Sequence, residues 1–490
     1  MAELTVIYRG VPKTHAIKTP VRLSDALNQL GYTAPHPCGG RGTCFKCRVR
    51  IAGAVSDPSI QEQQAGLRLS CQTMLQGDAA VWLEDQHEMA QIELSGSVQA
   101  RALKPMKGRY GAAIDIGTTT LALKLFDLTS GCCIGQTGNE NPQRTVASDV
   151  MGRIQASLDG KGNLMQGQVV SALTALLEEA CQQHHIAPAL VDVMVIVGNT
   201  TMLYLLTGKN PQSLAFAPFE ADDLFGRSDL CLGRQTYLPP CMNAFVGADI
   251  TAAVLASGMC DKDEVSLLCD IGTNGELALW KDGTLYVTST AAGPAFEGAG
   301  ISCGCGSIPG AIDRVWVEEA MMQMHTIGDL PPVGVCGSGL LDAIAAYLEL
   351  NEIDETGATE QDELSLGEGV KLLPKDIRAV QLAKAAIASG IKTLLHEAGV
   401  AADDVHTLYI AGGFGSHLNI ESAVRIGLIP KSLRHKAVVI GNAALSGAAS
   451  MLLNTEHQVK AAAIAGMSRH VNLGGNKVFG DLFIENMMFG

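Results

Sequence analysis

Three short motifs occur twice along this chain, in the same order each time, and this duplication restricts the possible folds more than any other feature of the sequence. The first motif occupies residues 111–123 and 267–279, where apolar runs flank an Asp-Ile-Gly-Thr turn. Apolar runs on both sides of such a turn predict a β-hairpin. The same hairpin is therefore predicted in both copies of the duplication.

The second and third motifs follow the hairpin in both copies. Residues 193–201 and 408–415 each resemble a buried strand that enters a glycine-rich turn and then a helix. Residues 244–249 and 438–443 each lead into a helix of small residues. One Asp-Gly turn would carry little weight, but three motifs in one order predict two similar α/β lobes that face each other across a cleft.

The paired turns have the chemistry of a phosphate site. Backbone N–H groups of Gly/Thr turns and of helix N-termini bind phosphate oxygens. Asp115 and Asp270 precede the two turns, where they can orient Mg²⁺ and its waters against the phosphates. Mg²⁺ usually keeps several waters and binds only one or two carboxylates, so two facing aspartates suffice. The alternative is that both aspartates only accept hydrogen bonds from the N–H groups of their own turns.

A second group of residues, near the N-terminus, predicts a metal cluster. Three cysteines lie in a glycine-rich loop and a fourth lies apart from them; the four are Cys38, Cys44, Cys47 and Cys71. Three thiolates in one loop with one remote thiolate are typical of a plant-type [2Fe–2S] site, although the first spacing here is one residue longer than usual. A structural zinc is the alternative, but zinc ligands usually occur as two short cysteine pairs.

The residues around this loop predict a small α+β domain of the ferredoxin-like (β-grasp) type. Residues 4–9 and 13–18 indicate strands, Ser24 is expected to cap a helix, and residues 80–83 indicate the last strand. Basic residues and a proline without periodicity indicate a boundary at 97–110. The predicted domains are a [2Fe–2S] ferredoxin-like domain at 1–95, a linker at 96–110, ATPase lobe I at 111–262 and ATPase lobe II at 263–490.

Composition and charge exclude several other classes of protein. The formal net charge of −15 argues against a nucleic-acid-binding surface, which needs clustered Lys and Arg. No apolar run reaches the roughly 18 residues that span a bilayer, and the N-terminus alternates like a strand rather than a signal peptide. We therefore expect a cytoplasmic protein that binds neither membrane nor nucleic acid.

The other ten cysteines are scattered along the chain, and most of them should be small buried residues. We interpret Cys303 and Cys305 as members of a tight loop rather than a second metal or redox pair.

The motifs resemble those of known proteins at two levels. The duplicated hairpins, with Gly-Gly-Phe-Gly at 412–415, resemble the acetate kinase/sugar kinase/Hsp70/actin superfamily. Several segments resemble, more narrowly, the reductive activators of corrinoid proteins; they are residues 141–143, 293–298, 301–304, 336–342 and 411–415. Those activators also carry an N-terminal [2Fe–2S] domain with the Cys-Gly-Gly-x-Gly-Thr-Cys-x-x-Cys loop that this chain has at 38–47. The resemblance covers nearly the whole chain.

The resemblance implies a function that joins the two halves of the chain. ATP binding and hydrolysis would help to move an electron from the cluster to an inactive Co(II) corrinoid protein, which restores the Co(I) nucleophile of a methyltransferase system. The implied cofactors are a [2Fe–2S] cluster, ATP and Mg²⁺, and the implied partners are the corrinoid protein and a low-potential electron donor. Plant-type clusters have potentials of roughly −400 mV, so a more negative acceptor would require the energy of ATP. Whether the chain forms a homodimer stays open.

The resemblance also implies roles for individual residues. The residues expected to bind the phosphates from the two sides are Asp115, Gly117, Thr118, Thr119, Asp270, Gly272, Thr273 and Asn274. Gly412, Gly413 and Phe414 are expected to lie against the adenosine. Asp249 would orient the attacking water or, alternatively, cap a helix. Lys384 would reach the adenine base or, alternatively, remain solvated.

Three other functions remain as alternatives at this stage. The chain could be a small-molecule kinase with a redox-sensing cluster, because fold does not fix function. It could be an electron carrier whose nucleotide domain only switches binding. It could also activate a low-potential metalloenzyme that lacks cobalt, which is the most serious rival.

Overall fold

The computed structural model describes residues 2–8, 11–30, 32, 47–59, 62–63, 68–83, 94, 103–367 and 369–490. The chain forms two compact units, one comprising residues 1–89 and 142–156 and the other residues 90–141 and 157–490. The first unit contains the predicted cluster domain, and the second contains most of both predicted lobes.

The first unit is built on a mixed β-sheet. Its strands and helices are β1 (Ala2–Tyr8), β2 (Val11–Ile17), β3 (Val21–Arg22), α1 (Leu23–Gln29), β4 (Arg48–Val55), β5 (Arg68–Leu69), β6 (Met74–Leu83) and α2 (Val150–Ala156). The strand order is β2-β1-β6-β4-β5, and β3 pairs with β6. Strand β1 runs antiparallel to β2 and parallel to β6. This arrangement confirms the predicted α+β ferredoxin-like (β-grasp) domain.

The core of this unit lies between the sheet and α1. Leu4, Val6 and Val81 alternate with more exposed residues along β1 and β6, as expected for a sheet with one buried face. They pack with Leu23 and Leu27 of α1, which lie one helical turn apart and are also fully buried.

The start of α1 differs from the prediction, because Ser24 is not its cap. The helix begins at Leu23, and its N-cap residue, Arg22, makes no side-chain capping bond. Instead, the Leu23 N–H donates to the Thr73 carbonyl at 2.9 Å and the Ser24 N–H donates to the Ser70 carbonyl at 3.0 Å. A distant loop satisfies these first-turn donors, and the sequence around Ser24 could not reveal that partner.

In lobe I, a sheet is covered by helices. Its elements are β7 (Tyr110–Ile116), β8 (Thr120–Asp127), β9 (Cys132–Glu140), α3 (Gly162–Gln183), β10 (Val191–Gly198), α4 (Thr200–Thr207), α5 (Gln212–Ala215), β11 (Arg227–Cys231), β12 (Arg234–Leu238) and α6 (Ala248–Ser257). The strand order is β11-β12-β10-β7-β8-β9. Strands β7, β8 and β9 are antiparallel neighbours, whereas β10 runs parallel to β7 and β12 parallel to β10.

Lobe II repeats this topology. Its elements are β13 (Ser266–Ile271), β14 (Gly275–Lys281), β15 (Thr284–Thr290), β16 (Ala311–Glu318), β17 (Met321–Thr326), β18 (Gly334–Val335), α7 (Gly337–Glu349), β19 (Leu364–Ser365), β20 (Lys371–Leu372), α8 (Pro374–Ala398), β21 (Thr407–Ala411), α9 (Ile420–Arg425), β22 (Ala437–Gly441), α10 (Ala443–Leu453), α11 (Glu456–Gly466), β23 (Ser468–His470) and α12 (Lys477–Glu485). The strand order is β22-β21-β13-β14-β15-β23, in which β22-β21-β13-β14-β15 corresponds to β12-β10-β7-β8-β9 of lobe I. The first and second motifs therefore occupy equivalent positions in the two sheets. The predicted duplication into two α/β lobes is therefore confirmed.

One helix crosses between the lobes. Helix α10 follows the third motif of lobe II, yet it packs against α6 and β7 of lobe I. The chain before β7 follows the same helix, because the N–H groups of Lys104 and Met106 donate to the carbonyls of Leu453 and Leu452. Residues 103–109, within the predicted linker, are thus fixed to the second unit. Among the described residues, no helix has the length and apolar character needed to cross a membrane.

Candidate functional site

The three motifs of each lobe converge where the lobes meet. The side-chain amide of Asn199, in the second motif of lobe I, donates to Thr118 Oγ1 in the first motif at 3.1 Å. Asn442, in the third motif of lobe II, donates from Nδ2 to Asp115 Oδ2 of lobe I at 3.0 Å. Asn199 and Asn442 also cap α4 and α10 through their side-chain oxygens, so each amide fixes a helix start and a turn at once.

Four carboxylates lie together at this junction, and each keeps part of its surface exposed. Burial raises the pKa of Asp115 to about 6, although the hydrogen bond from Asn442 lowers it in part. Burial and the charge of Asp115 raise the pKa of Asp270 to about 7 and that of Asp249 to about 8. Burial, followed by the charges of Asp249 and Asp270, raises the pKa of Glu276 well above its usual value. Carboxylates that repel one another in this way favour either protons or a divalent cation.

The predicted magnesium aspartates, Asp115 and Asp270, thus lie close enough for the charge of one to perturb the other. No group of three or more His, Cys, Asp or Glu side chains in the described part of the chain is arranged to hold a metal ion alone. Two neighbouring aspartates suit Mg²⁺, which takes one or two carboxylates and completes its shell with water and phosphate oxygens. The donor chemistry of the junction therefore fits the ion.

Asp249 and Glu276 complete the cluster from opposite lobes. Asp249 lies in the first turn of α6, where its carboxylate accepts from the Ile250 N–H at 2.8 Å. The N-cap residue of α6 is Gly247, so Asp249 does not occupy the cap position that one of its two predicted roles requires, and orienting water remains a prediction. Glu276 was missed by the sequence analysis, although it is the direct cross-strand partner of Asp270 in the β13–β14 hairpin. The short turn could have indicated this pairing, because hairpin loop length sets the register.

Glu297 joins the two turns that are predicted to bind phosphate, and the sequence did not indicate this residue. Thr119 Oγ1 of lobe I donates to Glu297 Oε2 at 2.7 Å, and Thr273 Oγ1 of lobe II donates to Glu297 Oε1 at 2.9 Å. The two threonine hydroxyl oxygens lie 3.5 Å apart. Residues 293–298 carry part of the family resemblance, but no local pattern there indicates contact with either turn.

The predicted adenosine turn lies directly beside the carboxylates. Gly412 has φ of +89°, and a Cβ atom there would lie 2.4 Å from Asp270 Oδ1. Only glycine permits this approach. The Phe414 ring stacks on Phe296, with centroids 5.1 Å apart and ring planes 10° apart. Gly413 is exposed next to them, so the turn offers both an open backbone and an aromatic face.

Lys384 lies elsewhere in lobe II, on α8. The side chain is buried, and its ammonium donates to the Met488 carbonyl and lies 5.5 Å from the centre of the Phe489 ring. Burial lowers the pKa of Lys384 to about 8. The alternative of a solvated lysine is therefore wrong, and contact with an adenine base remains a prediction that would require this ammonium to exchange partners.

In the first unit, two of the four predicted cluster ligands are described. The Sγ atoms of Cys47 and Cys71 are buried and 3.1 Å apart, longer than the roughly 2.05 Å of a disulfide and close enough for both to reach one metal centre. A backbone hydrogen bond connects the two segments that carry these cysteines, since the Ser70 N–H donates to the Cys47 carbonyl at 2.8 Å. Cys38 and Cys44 lie outside the described residues. The two buried thiols fit an iron–sulfur cluster.

Glu62 holds the loop that carries Cys71. Its carboxylate accepts from the N–H groups of Ser59 and Leu69, both at 2.7 Å, and from Arg68 Nε at 3.2 Å. Although burial opposes it, these bonds and the Arg68 charge lower the pKa of Glu62. No pattern in the sequence indicates this role of Glu62.

The remaining cysteines only partly follow the prediction. Five are buried, namely Cys181, Cys231, Cys241, Cys269 and Cys336, but Cys132 and Cys133 are exposed at the start of β9. The expectation of burial is wrong for that pair.

Cys303 and Cys305 lie on either side of a β-bridge between Gly304 and Val335. The Val335 N–H donates to the Cys303 carbonyl, and the Cys305 N–H donates to the Val335 carbonyl, which is the geometry of a tight loop.

Comparison with known proteins found family models that match three parts of the chain. A family model described as the 2Fe-2S iron–sulfur cluster binding domain matches residues 7–76. The RACo middle region matches residues 110–262, and the C-terminal domain of RACo, the ASKHA domain, matches residues 264–490.

Individual relatives extend over most of the chain. It is 34% identical to the corrinoid activation enzyme RamQ of Eubacterium limosum over 78% of this chain and 70% of that protein. It is 26% identical to the [Co(II) methylated amine-specific corrinoid protein] reductase of Methanosarcina barkeri over 70% of each. A solved reductive activator for a corrinoid, iron–sulfur protein matches 99% of this chain and 98% of its own, with a TM-score of 0.73 and 27% identity. The chain therefore belongs to the family of ATP-hydrolysing reductive activators of corrinoid proteins, in which a 2Fe-2S domain is joined to an ASKHA ATPase domain.

Proposed function

We propose that this protein uses ATP to pass an electron from a [2Fe–2S] cluster to a Co(II) corrinoid protein and so restores Co(I) in a methyltransferase system. The observation that carries the proposal is the match to a solved corrinoid activator over 99% of this chain, which also has buried cysteine thiols and two similar α/β lobes. In this proposal Cys38, Cys44, Cys47 and Cys71 hold the cluster, which supplies one-electron transfer.

The nucleotide would bind at the junction of the lobes. The Gly117–Thr118–Thr119 turn and the Gly272–Thr273–Asn274 turn would bind the phosphates with their N–H groups and hydroxyls. Asp115 and Asp270 would hold Mg²⁺ through its waters, which would neutralise the phosphate charge. Gly412, Gly413 and Phe414 would lie against the adenosine, since the turn already abuts Asp270.

Asp249 is proposed to orient the water that attacks the terminal phosphate. It is partly exposed and belongs to the carboxylate cluster, and burial raises its pKa to about 8. A carboxyl group with a pKa near the working pH can take a proton from water and release it again.

ATP is needed because the electron would move to an acceptor of more negative potential. Each ~59 mV of mismatch reduces the equilibrium constant of a one-electron transfer about tenfold. Closure of the lobes around ATP would alter the surface offered to the corrinoid protein, as hinge and shear motions do in other two-lobed ATPases. The Asn442–Asp115 bond crosses the lobes, so a change at the phosphates reaches both of them. A low-potential donor would reduce the cluster again.

The test is anaerobic transfer to a defined acceptor. The reduced protein is mixed with a Co(II) corrinoid protein, and Co(I) absorbance is followed with and without Mg·ATP. We expect Co(I) only with ATP and only from protein with an intact cluster, so Cys47→Ala serves as the control that keeps the ATP site. Failure with several corrinoid proteins, despite bound ATP and an intact cluster, would instead favour another low-potential metalloenzyme as the target.

A further inference from the structure

Glu297 occupies the position between the two phosphate turns. Its carboxylate accepts one hydrogen bond from Thr119 and one from Thr273, at 2.7 and 2.9 Å. The residue lies at the end of a short 3₁₀ turn, Pro294–Glu297, and remains half-buried. The neighbouring Phe296 is fully buried and stacks on Phe414, so the turn is fixed in the core of lobe II.

A threonine hydroxyl has a single hydrogen to donate. While Thr119 and Thr273 donate to Glu297, neither can donate to a phosphate oxygen. Carboxylate and phosphate oxygens are both ionised acceptors of strong hydrogen bonds, so they compete for the same two hydroxyl hydrogens.

Charge repulsion, like the hydrogen bonds, opposes the binding of phosphate while Glu297 is in place. A phosphate that bound to either hydroxyl would lie within a few ångströms of the Glu297 carboxylate. Two like charges at such a short distance repel each other, although counter-ions screen part of the repulsion. Phosphate binding is thus coupled to displacement of Glu297 through both threonines.

We propose that Glu297 is an affinity- and specificity-determining residue of the nucleotide site, an internal anion that competes with the phosphates of ATP for the hydroxyls of Thr119 and Thr273. This inference rests on the proposed nucleotide site. The competition concerns only the phosphate chain, so adenosine, which has no phosphates, is unaffected by it. Glu297 thereby sets how strongly the protein distinguishes a nucleoside triphosphate from a nucleoside.

The experiment measures binding of Mg·AMPPNP and of adenosine by calorimetry in the full chain with its cluster. Glu297→Gln keeps the size of the side chain and removes its charge. We expect it to bind Mg·AMPPNP about three- to tenfold more tightly, which is the effect of about one net hydrogen bond, because the competing carboxylate has been removed. Its affinity for adenosine should be unchanged. Glu360→Gln makes the same change of charge at an exposed position of lobe II and should alter neither affinity.

Glu297→Asp provides a second variant, which keeps the charge. It is shorter by one carbon–carbon bond, about 1.5 Å, so it cannot accept from both threonines. We expect about two- to threefold tighter binding of Mg·AMPPNP. Unchanged or weaker binding of Mg·AMPPNP in folded Glu297→Gln, or in Glu297→Asp if the first variant does not fold, would overturn the inference alone. If the wild-type protein does not bind Mg·AMPPNP, the proposed function fails as well.

Discussion

Asn442 Nδ2 donates a hydrogen bond to Asp115 Oδ2 across the junction of the lobes, with 3.0 Å between the two atoms. The same side chain caps α10, because its oxygen accepts from the Leu445 N–H at 2.8 Å. Asn442 therefore connects the start of a lobe II helix to the first predicted magnesium ligand of lobe I. This connection allows the electrostatic role of the residue to be separated from its structural role.

We predict that Asn442→Ser shifts the acid limb of the ATPase pH profile to higher pH. Serine still caps the helix but is too short to reach Asp115. Burial raises the pKa of Asp115 to about 6 and the Asn442 bond lowers it, so losing the bond raises this pKa further. Asp115 then needs a higher pH to ionise, and the midpoint should move up by about one unit or less.

The control for this prediction is Asn476→Ser. Asn476 caps α12, where its side chain accepts from the Phe479 N–H. The same substitution there should leave the pH profile unchanged. An unshifted profile in Asn442→Ser would show that the bond does not govern ionisation of Asp115.

We predict that Asp270→Asn loses most ATPase activity, keeps the visible spectrum of the cluster and gains stability at pH 8. Burial and the charge of Asp115 raise the pKa of Asp270 from 3.8 to about 7. An acid whose pKa is raised on folding binds its proton more tightly in the folded protein, so its contribution to the free energy of unfolding falls as pH rises from about 4 to about 7. At pH 8 the neutral amide removes this cost, and we expect a gain of about 1–2 kcal/mol in the free energy of unfolding.

Thermal unfolding at pH 8 and pH 5 measures the effect. The gain should shrink at pH 5, where the Asp270 carboxyl group is already protonated in the folded protein. A variant that turns over ATP normally would exclude Asp270 from the mechanism, and equal gains at both pH values would contradict the electrostatic explanation.

The sequence predicted those features that depend on local order along the chain. The Asp-Ile-Gly-Thr hairpins and the two lobes follow from motifs that each lie within a few consecutive residues. Glu297 could not be found in this way, because its partners Thr119 and Thr273 are distant in sequence and come from different lobes. The same reason applies to Ser24, whose N–H is satisfied by the loop at Ser70. Contacts of this kind are decided by packing, which no local pattern records.

We predict that Gly412→Ala abolishes ATPase activity. The added Cβ atom would lie 2.4 Å from Asp270 Oδ1, so either the turn or the carboxylate must move. The backbone at φ of +89° also costs about 1 kcal/mol for a residue with a side chain. Activity is measured as phosphate release, and stability by thermal unfolding.

Gly399→Ala separates the strain from the clash. Gly399 ends α8 at φ of +61°, and no atom lies within 4 Å of the position of its Cβ. This variant should lose only the roughly 1 kcal/mol that backbone strain costs and should keep its ATPase activity. Equal activities in the two alanine variants would mean that contact with Asp270 is not needed for turnover.

We predict that Glu62→Gln shortens the lifetime of the cluster. The Glu62 carboxylate accepts from the N–H groups of Ser59 and Leu69 and from Arg68, on the loop that leads to Cys71. Glutamine has one acceptor oxygen in place of two, so at least one buried donor is left unpaired at a cost of about 1–3 kcal/mol. Cluster absorbance should decay several-fold faster with a chelator. Glu3→Gln, on the exposed face of β1, is the matched control, and equal decay rates in the two variants would show that the Glu62 network does not support the position of Cys71.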